Sequence, residues 1–289
     1  MKFSLRFSRP TRTATVAIAS AAAGIALAVP GLAIAGHTGQ AVAPPPANPT
    51  SADQIQNIDQ VKTAIKGYYG DTLTTTPDPV DGTTMLHQFD PDGAYAHEVE
   101  GIARDSGKYL ANHHKRTEGK AIIFDIDDTT LNTYSYEIYS NFVYNPGTNA
   151  AFVNAGLTPG VDSAKVFPAV PGMVALEAKA MKAGYQVFWL TGRPATQLDG
   201  TLVNLRAAGY TVDDSHVYLK DLTAPYLQWC MTDANNKPCT TIEYKSSTRE
   251  YIESQGYELV ANFGDQFSDL TGGFADRTYK IPNPNYYLP

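Results

Sequence analysis

The sequence predicts an α/β fold in which a parallel β-sheet is flanked by helices. Beyond residue 120, short apolar segments of strand composition alternate with helical segments, a pattern typical of parallel strands joined by right-handed crossovers. Three of these strands end in polar turns, as strands do at the ligand-binding edge of such a sheet. The 289 residues suffice for one large core or two modest domains.

The first 35 residues have the composition of a secretory signal peptide, because four basic residues precede an uncharged, alanine-rich run. Ala33-Ile34-Ala35 fits the small-x-small cleavage pattern, so we predict Sec-type export with cleavage before Gly36. An uncleaved anchor is the alternative, because the run is long enough to span a bilayer. Cleavage predicts a secreted, extracellular protein without stable membrane association.

The predicted mature chain is acidic. Of the 22 basic residues in the chain, four lie in the signal peptide, so 18 remain against 29 acidic residues, a net charge of −11. This charge argues against nucleic acid as a partner, since the phosphate backbone is itself anionic.

Two segments separate the signal peptide from the sheet. Residues 36–50 are rich in Pro and Ala and predict an extended linker. Residues 51–119 predict an N-terminal helical extension, with one helix from Ser51 to about Tyr69, a turn-rich segment, and a second helix over about 91–114. The apolar stripe of the first helix consists of Ile55, Ile58, Val61 and Ile65.

The strand over 120–124 ends in three acids, Asp125, Asp127 and Asp128. Its continuous apolar run suits a strand that is buried on both faces, and Asp is a poor strand residue, so the strand should stop near Asp125. Like charges this close resist joint ionisation unless a cation or a shared proton lies between them. The cluster therefore predicts a divalent metal site, and an ordinary acidic turn is the alternative.

Residues 132–166 predict a small cap insertion over this strand end. The insertion is rich in aromatic residues that pack its own core or, for a few of them, line a substrate pocket. These residues are Tyr134, Tyr136, Tyr139, Phe142 and Tyr144.

Helices and strands alternate after the insertion. In order, they are a helix over 170–184, a strand over 185–190, a helix to 209, a strand over 217–219, a helix opened by Lys245 that ends at 256, and a strand over 257–263. Thr191 follows the second strand of the sheet, and Asp265 and Asp269 follow the last. These side chains should converge with Asp125 and Asp127, since the ends of parallel strands share one edge.

The chain has two cysteines, Cys230 and Cys239, separated by a polar, turn-rich segment. A nearby pair in an exported protein most often forms a disulfide, and we predict one here. A catalytic or metal-binding role is less favoured, because the spacing is not Cys-x-x-Cys.

The predicted cluster contains the groups needed to hold a phosphoryl group: carboxylates for a metal, a hydroxyl, a lysine and a helix N-terminus. Four sequence segments resemble, in order, the motifs of the haloacid dehalogenase (HAD) superfamily. They are Asp125-x-Asp127-x-Thr129, Leu190-Thr191-Gly192-Arg193, Lys245, and Gly264-Asp265-x-x-x-Asp269. The sequences around them resemble most its secreted acid phosphatases of plants and bacteria, a branch that includes vegetative storage proteins. The resemblance implies a Rossmann-like HAD core over 120–289.

The resemblance also implies a role for each residue. Asp125 is expected to be the nucleophile, and Asp127 the general acid and base. Asp125, Asp265 and the backbone carbonyl of Asp127 are expected to hold Mg²⁺. Thr191 and Lys245 are expected to bind the phosphoryl oxygens, with Lys220 as a competitor for the lysine role. Four further residues are expected to support the site, namely Thr129, Gly192, Arg193 and Asp269. For Arg193 a surface ion pair is the alternative, and for Asp269 the alternative is a metal contact through water.

These roles predict a secreted, magnesium-dependent acid phosphatase that hydrolyses small phosphate monoesters through an aspartyl-phosphate. Two alternatives stay open: transfer of the phosphoryl group to an alcohol acceptor, and a catalytically weak storage or binding protein on the same fold. The substrate and the oligomeric state do not follow from the sequence.

Overall fold

The computed structural model of the protein describes residues 48–113, 117–231 and 238–288. The predicted signal peptide, its cleavage site and residues 36–47 of the predicted linker lie outside the described residues. Within the described ranges, no helix is both long and apolar enough to cross a membrane.

The described strands form one central sheet and one hairpin. In chain order they are β1 (Thr72–Pro77), β2 (Met85–Gln88), β3 (Lys120–Phe124), β4 (Gln186–Pro194), β5 (Val217–Lys220), β6 (Glu258–Gly264) and β7 (Thr278–Lys280). The central sheet has the order β5-β4-β3-β6-β7, and all of its neighbouring strands are parallel. The predicted fold class is confirmed, and β7 is an edge strand that the sequence analysis did not predict.

The helices lie between and around these strands. They are α1 (Ile58–Tyr69), α2 (Ala94–His113), α3 (Tyr134–Tyr139), α4 (Pro146–Val153), α5 (Ser163–Val166), α6 (Met173–Lys182), α7 (Leu198–Ala207), α8 (Gln228–Met231), α9 (Thr241–Ser254) and α10 (Phe267–Leu270). The predicted start of helix α9 is wrong. Helix α9 begins at Thr241 after a capping box formed by Thr240 and Glu243, so Lys245 lies in its second turn and not at its start.

Both faces of the sheet are buried, as the unbroken apolar run of β3 predicted. Successive side chains of a strand point to opposite faces. Ile122 and Phe124 therefore join a cluster that contains residues of α2, α6 and the insertion, whereas Ala121 and Ile123 join a cluster that contains residues of α8 and α9. The result is a three-layer arrangement whose central strand is fully enclosed, which fixes the position of the acids that follow it.

The N-terminal extension differs from its prediction in two places. Helix α1 is capped by Asn57 and not by Ser51, so Ile55 lies outside the helix and is 61% exposed, and Ile58, at the first turn, is 67% exposed. The turn-rich segment forms the antiparallel hairpin of β1 and β2. The strand β1 is rich in Thr and mostly exposed, so it lacks the apolar alternation by which strands are recognised.

The extension shares its core with the sheet. Tyr69 of α1 stacks on Tyr134 of α3 with ring centroids 4.3 Å apart and lies 4.4 Å from the ring of Tyr95 of α2. The Tyr69 hydroxyl accepts a hydrogen bond from the Asn285 side chain at 3.1 Å. Residues 69, 134 and 285 are therefore brought together from the two ends and the middle of the described chain.

The insertion leaves and rejoins the core at one point. The Asn132 amide donates to the Pro168 carbonyl, and the Val170 amide donates to the Thr130 carbonyl, each at 2.8 Å. Tyr134, Tyr136 and Phe152 are buried among core residues, and the ring of Tyr136 meets that of Phe152 edge to face. Tyr144, by contrast, is 70% exposed. The larger buried aromatics of the insertion thus join the main core of the protein and do not form a separate core of their own.

Cys230 and Cys239 form the predicted disulfide, and their Cα atoms are 5.1 Å apart. Both residues are buried in the apolar cluster beneath α9, which also contains Leu227 and Tyr244. The bridge therefore ties α8 to the start of the helix that carries Lys245.

Replacing both cysteines by serine is expected to lower the free energy of unfolding by about 2–3 kcal/mol, because the bridge restricts the unfolded chain. Guanidinium unfolding of the wild type and of the Cys230→Ser/Cys239→Ser protein measures the difference. A reductant should reproduce the shift in the wild type and leave the double variant unaffected. Equal midpoints for the two proteins would contradict the expectation.

Candidate active site

The site begins where β3 ends. The Asp125 amide still donates to the Phe263 carbonyl of β6 at 2.9 Å, and the chain then turns away from the sheet. Asp128 has a left-handed backbone with φ of 53°, a conformation that Asp tolerates better than most residues. The Thr130 hydroxyl donates to the Asp125 and Ile126 carbonyls at 3.1 and 3.0 Å. This loop holds Asp125 at the edge of the sheet, where it is 6% exposed.

The neighbouring strands deliver the other predicted residues to the same edge. Phe124 pairs with Trp189 of β4 and with Phe263 of β6. Thr191, two residues beyond Trp189, and Asp265, two residues beyond Phe263, therefore flank Asp125. Both are buried.

Lys245 reaches the site from α9. Its ammonium group forms ion pairs with the carboxylates of Asp125 and Asp269, and all three side chains are buried. An ammonium has three N–H donors, and two of them are used here. The structure therefore places Lys245 beside Asp125. Lys220, the competing lysine, ends β5 and has no ion pair among the described residues.

Burial and crowding change the acidity of the central groups. Burial raises the pKa of Asp125 well above its usual value, and the nearby Lys245 ammonium opposes this effect. Burial, reinforced by the charge of Asp269, raises the pKa of Asp265 to about 6. Burial alone disfavours the charged form of Lys245, but the Asp125 and Asp269 carboxylates outweigh it and raise its pKa. The pocket thus holds more negative charge than Lys245 balances.

The acids Asp125, Asp265 and Asp269 each offer a carboxylate oxygen, and these oxygens lie within 4.8 Å of one another. Three buried carboxylates form a donor set that hard divalent cations prefer, and a cation would relieve their mutual repulsion. The set includes Asp269, for which the resemblance implies a metal contact through water or a supporting role. It does not include the side chain of Asp127, for which the predicted metal contact is through the backbone carbonyl.

The Asp127 side chain lies at the mouth of the site, with 26% of it exposed. Arg193 donates to both of its carboxylate oxygens, from Nε at 3.0 Å and from the guanidinium terminus at 2.6 Å. Arg193 is itself buried and donates to the Thr201 hydroxyl at 3.0 Å. Of the two interpretations of Arg193, contact with the site is therefore the one observed, and a surface pair is not.

Thr191 and Gly192 precede this arginine in β4. The Thr191 hydroxyl accepts a hydrogen bond from the Arg193 amide at 3.1 Å, which fixes its rotamer. Gly192 is exposed, and a Cβ atom there would meet nothing within 4 Å, so its small size leaves the edge beside Thr191 open.

A shell of polar side chains orients Asp265. The Thr129 hydroxyl donates to one carboxylate oxygen at 3.2 Å, and the side-chain amides of Gln266 and Asn283 donate to the other at 2.7 Å each. Asn283 lies in the segment after β7 and was not singled out in the sequence, because no motif marks it.

Asp269 is fixed from two sides. Its side chain accepts the Gln266 amide at 2.8 Å as part of a capping box at α10, and Gly264 lies so close that a Cβ atom there would come within 2.3 Å of the Asp269 Cβ. The buried Arg249 donates to the carbonyls of Asp269, Thr271 and Gly273 at 2.7, 2.5 and 2.8 Å. Arg249 thus holds the whole segment after β6 in place.

Asp128 belongs to the support of the insertion and not to the acidic cluster. It is fully buried, and its carboxylate accepts the Thr133 amide at 3.0 Å and the Thr133 hydroxyl at 2.7 Å, at the start of α3. Burial raises its pKa to about 7, with Asp265 adding to the effect. The three acids that follow β3 therefore have different surroundings.

Fold and site together define an α/β protein whose buried acidic site lies at the carboxyl edge of a parallel sheet. An insertion follows the central strand of that sheet. The chain belongs to the HAD superfamily, subfamily IIIB (acid phosphatase), whose family model matches residues 91–289.

The chain is also similar to individual proteins. The chain is 31% identical to Acid phosphatase 1 of Solanum lycopersicum over 199 residues, which are 67% of this chain and 69% of the relative. It is 29% identical to Vegetative storage protein 1 of Arabidopsis thaliana over 236 residues, 81% of this chain and 74% of the relative. A solved structure, the class C acid phosphatase from Bacillus anthracis, matches 66% of this chain and 80% of its own with a TM-score of 0.48 and 21% identity.

Proposed function

We propose that the protein is a secreted, Mg²⁺-dependent acid phosphatase that hydrolyses phosphate monoesters through an aspartyl-phosphate on Asp125. The observation that carries the proposal is the buried group of Asp125, Lys245, Asp265 and Asp269 at the carboxyl edge of the sheet. The disulfide between Cys230 and Cys239 supports an oxidising compartment.

In the first step, a carboxylate oxygen of Asp125 attacks phosphorus and the bond from phosphorus to the ester oxygen breaks. Asp127, at the mouth of the site, gives its proton to the departing alkoxide, so an alcohol leaves. The remaining N–H of Lys245 and the Thr191 hydroxyl bind the phosphoryl oxygens and offset the charge that develops on them.

In the second step, Asp127 removes a proton from a water molecule as that water attacks the phosphorus of the aspartyl-phosphate. The acyl-phosphate bond breaks, inorganic phosphate leaves and the Asp125 carboxylate is restored. Asp127 regains in this step the proton it gave in the first, so the cycle balances. Arg193 keeps the Asp127 carboxylate directed into the site throughout.

Asp125, Asp265 and the backbone carbonyl of Asp127 would hold Mg²⁺, with Asp269 close enough to contribute directly or through water. The bound cation supplies charge neutralisation, which lets an anionic nucleophile meet an anionic phosphate ester.

The test is hydrolysis of phenyl phosphate by the purified protein after chelation, with and without added Mg²⁺. We expect turnover at mildly acidic pH that chelation abolishes and Mg²⁺ restores. Folded protein that releases no phosphate from a panel of esters with any divalent cation would contradict the proposal and favour the storage protein. Product analysis with added alcohols separates hydrolysis from phosphoryl transfer, since a transferase would yield the new ester.

Replacing Arg193 by Lys is expected to lower kcat about 10- to 100-fold, because one ammonium cannot hold both oxygens of Asp127 as the guanidinium does. The loss should fall on kcat more than on KM, since Arg193 contacts Asp127 and not the phosphoryl group. Arg206, which pairs with Asp214 on the surface, provides the matched control. An Arg193→Lys protein as active as the Arg206→Lys protein would contradict the role given to Arg193.

A further inference from the structure

A fifth carboxyl group, that of Glu137, lies beside the site and has no role in the steps above. Glu137 is on α3, and its amide donates to the Thr133 carbonyl at 3.1 Å, so it lies one helical turn beyond Thr133. Residues four apart share one face of a helix. The Thr133 side chain binds Asp128. Glu137 therefore lies on the side of α3 that faces Asp128, one turn further along the helix.

The Glu137 side chain is buried but unpaired. The residue is 6% exposed, and its carboxyl group forms no hydrogen bond or ion pair with any residue that the structure describes. Unlike the Tyr134 hydroxyl, which is fully enclosed and unpaired, the carboxyl oxygens of Glu137 keep a little solvent-accessible surface. A nearly buried carboxyl group whose oxygens still reach solvent can exchange its water for a polar group of a ligand.

The charges around Glu137 show which side of the site it faces. Burial raises its pKa to about 9, followed by the charges of Asp128, Asp127 and Asp265. The Asn283 side chain donates to both Asp128 and Asp265, at 3.3 and 2.7 Å, so the segment that Thr133 and Asp128 hold adjoins the acidic site. Glu137 therefore faces the Asp127 side, and Asp127 is the residue that must reach the oxygen of the departing alcohol.

A neutral carboxyl group fits this position better than an ionised one. An extra negative charge would add to that of Asp127, Asp128 and Asp265 and would repel an incoming phosphate dianion. A neutral carboxyl group has one O–H donor and a carbonyl acceptor. The O–H donor and the carbonyl acceptor match an alcoholic hydroxyl, which also donates and accepts. An ammonium group fits less well, because it has no acceptor for the O–H of the carboxyl group.

We infer that Glu137 is a specificity-determining residue whose carboxyl group binds a hydroxyl of the leaving alcohol, so that polyol monophosphates are preferred over simple alkyl phosphates. The inference rests on the proposed function for its assignment of the leaving-group side. It gives a role to a buried acid in an insertion whose larger aromatic side chains pack into the main core.

The experiment compares glycerol 3-phosphate with n-propyl phosphate, which lacks only the two hydroxyls. For the wild type with Mg²⁺, we expect kcat/KM to favour glycerol 3-phosphate by about tenfold or more, as for a buried polar group that would otherwise be left unpaired. The Glu137→Ala protein should lose most of this ratio, and the Glu137→Gln protein, which keeps a donor and an acceptor, should retain most of it.

Glu177 of α6 supplies the control, since it is another buried carboxyl group, 1% exposed, that accepts the Thr211 amide at 3.2 Å away from the site. The Glu177→Gln protein should keep the wild-type ratio. An unchanged ratio in the Glu137→Ala protein, or an equal loss for both esters, would overturn the inference. A preference for ethanolamine phosphate over glycerol 3-phosphate that depends on Glu137 would also overturn the inference, because it would show that the carboxyl group is ionised.

The preference can also be measured without turnover. In the Asp125→Asn protein, the dissociation constants of glycerol 3-phosphate and n-propyl phosphate are compared. A preference for glycerol 3-phosphate that disappears on adding Glu137→Ala would support the inference even if the wild type hydrolysed neither ester. That result would contradict the proposed phosphatase activity alone, so the two failures are distinguishable.

Discussion

Replacing Asp125 by Asn is expected to lower kcat for phosphate ester hydrolysis by at least about 10³-fold, because the amide cannot attack phosphorus and the remaining groups only bind the ester. Asn is nearly the same size as Asp. Its side-chain oxygen can still accept from Lys245, and it removes one charge from a crowded group of acids. The variant should therefore fold and remain at least as stable as the wild type.

The Asp127→Asn variant separates the two chemical steps. A good leaving group such as p-nitrophenolate departs without a proton, so Asp125 should still be phosphorylated, whereas the attacking water has lost its base. Rapid mixing should then give a burst of one p-nitrophenol per protein followed by slow turnover, and mass spectrometry should find a phosphoryl group on the protein. The Asp125→Asn variant should show neither.

Full activity of pure Asp125→Asn protein, with the substitution verified by mass spectrometry, would refute the nucleophile assignment. A burst in the Asp125→Asn/Asp127→Asn double variant would do the same, since the phosphoryl acceptor would then be another residue. Thermal unfolding of both variants guards against loss of activity through loss of the fold.

Replacing Arg249 by Leu is expected to lower the free energy of unfolding by about 3–5 kcal/mol. Its guanidinium is fully buried and serves three backbone carbonyls of the segment after β6. Leu would remove all three of these hydrogen bonds, one of which, to the Asp269 carbonyl, is buried. Burial lowers the pKa of Arg249 to about 10, with Asp269 and Glu253 opposing the shift, so the group is still charged at neutral pH.

Denaturant titration measures this effect, and Arg249→Lys is the informative companion. An ammonium on a shorter reach can replace only part of the three-carbonyl contact, so Lys should recover part of the loss. Arg206→Leu, on the exposed Arg206–Asp214 pair, should change the free energy of unfolding by no more than about 1 kcal/mol. An Arg249→Leu protein as stable as Arg206→Leu would show that the segment holds its shape without the guanidinium.

The parts of the fold that the sequence predicted are those with a local signal. The strand β3 is a continuous apolar run that stops at an acid. The apolar runs of its neighbours give way to polar residues at Thr191 in β4 and at Asp265 after β6, so the class of the sheet and its ligand-binding edge both follow from short segments. The start of helix α9 is not predicted, because its capping box directly follows the cysteine segment. The hairpin is not predicted either, because β1 is Thr-rich and mostly exposed and β2 has only four residues.

The residues of the site divide in the same way. Asp125, Asp127, Lys245 and Asp265 lie in motifs and could be named in advance. Asn283 and Glu137 could not, because their positions depend on how the end of the chain and helix α3 are seated on the sheet. Asp269 is predicted to converge with Asp125 because it follows the last strand, and the turn at α10 is what brings its carboxylate into the group.

The contacts made by Asn283 and Asn285 affect when the protein can fold during its synthesis. A polypeptide is made from its N-terminus, yet the Tyr69 hydroxyl meets its partner only at Asn285, and Asp265 meets one of its donors only at Asn283. Nascent chains that lack these residues have neither contact. The acidic site is therefore among the last parts of the protein to assemble, and an unfinished chain lacks its complete shape.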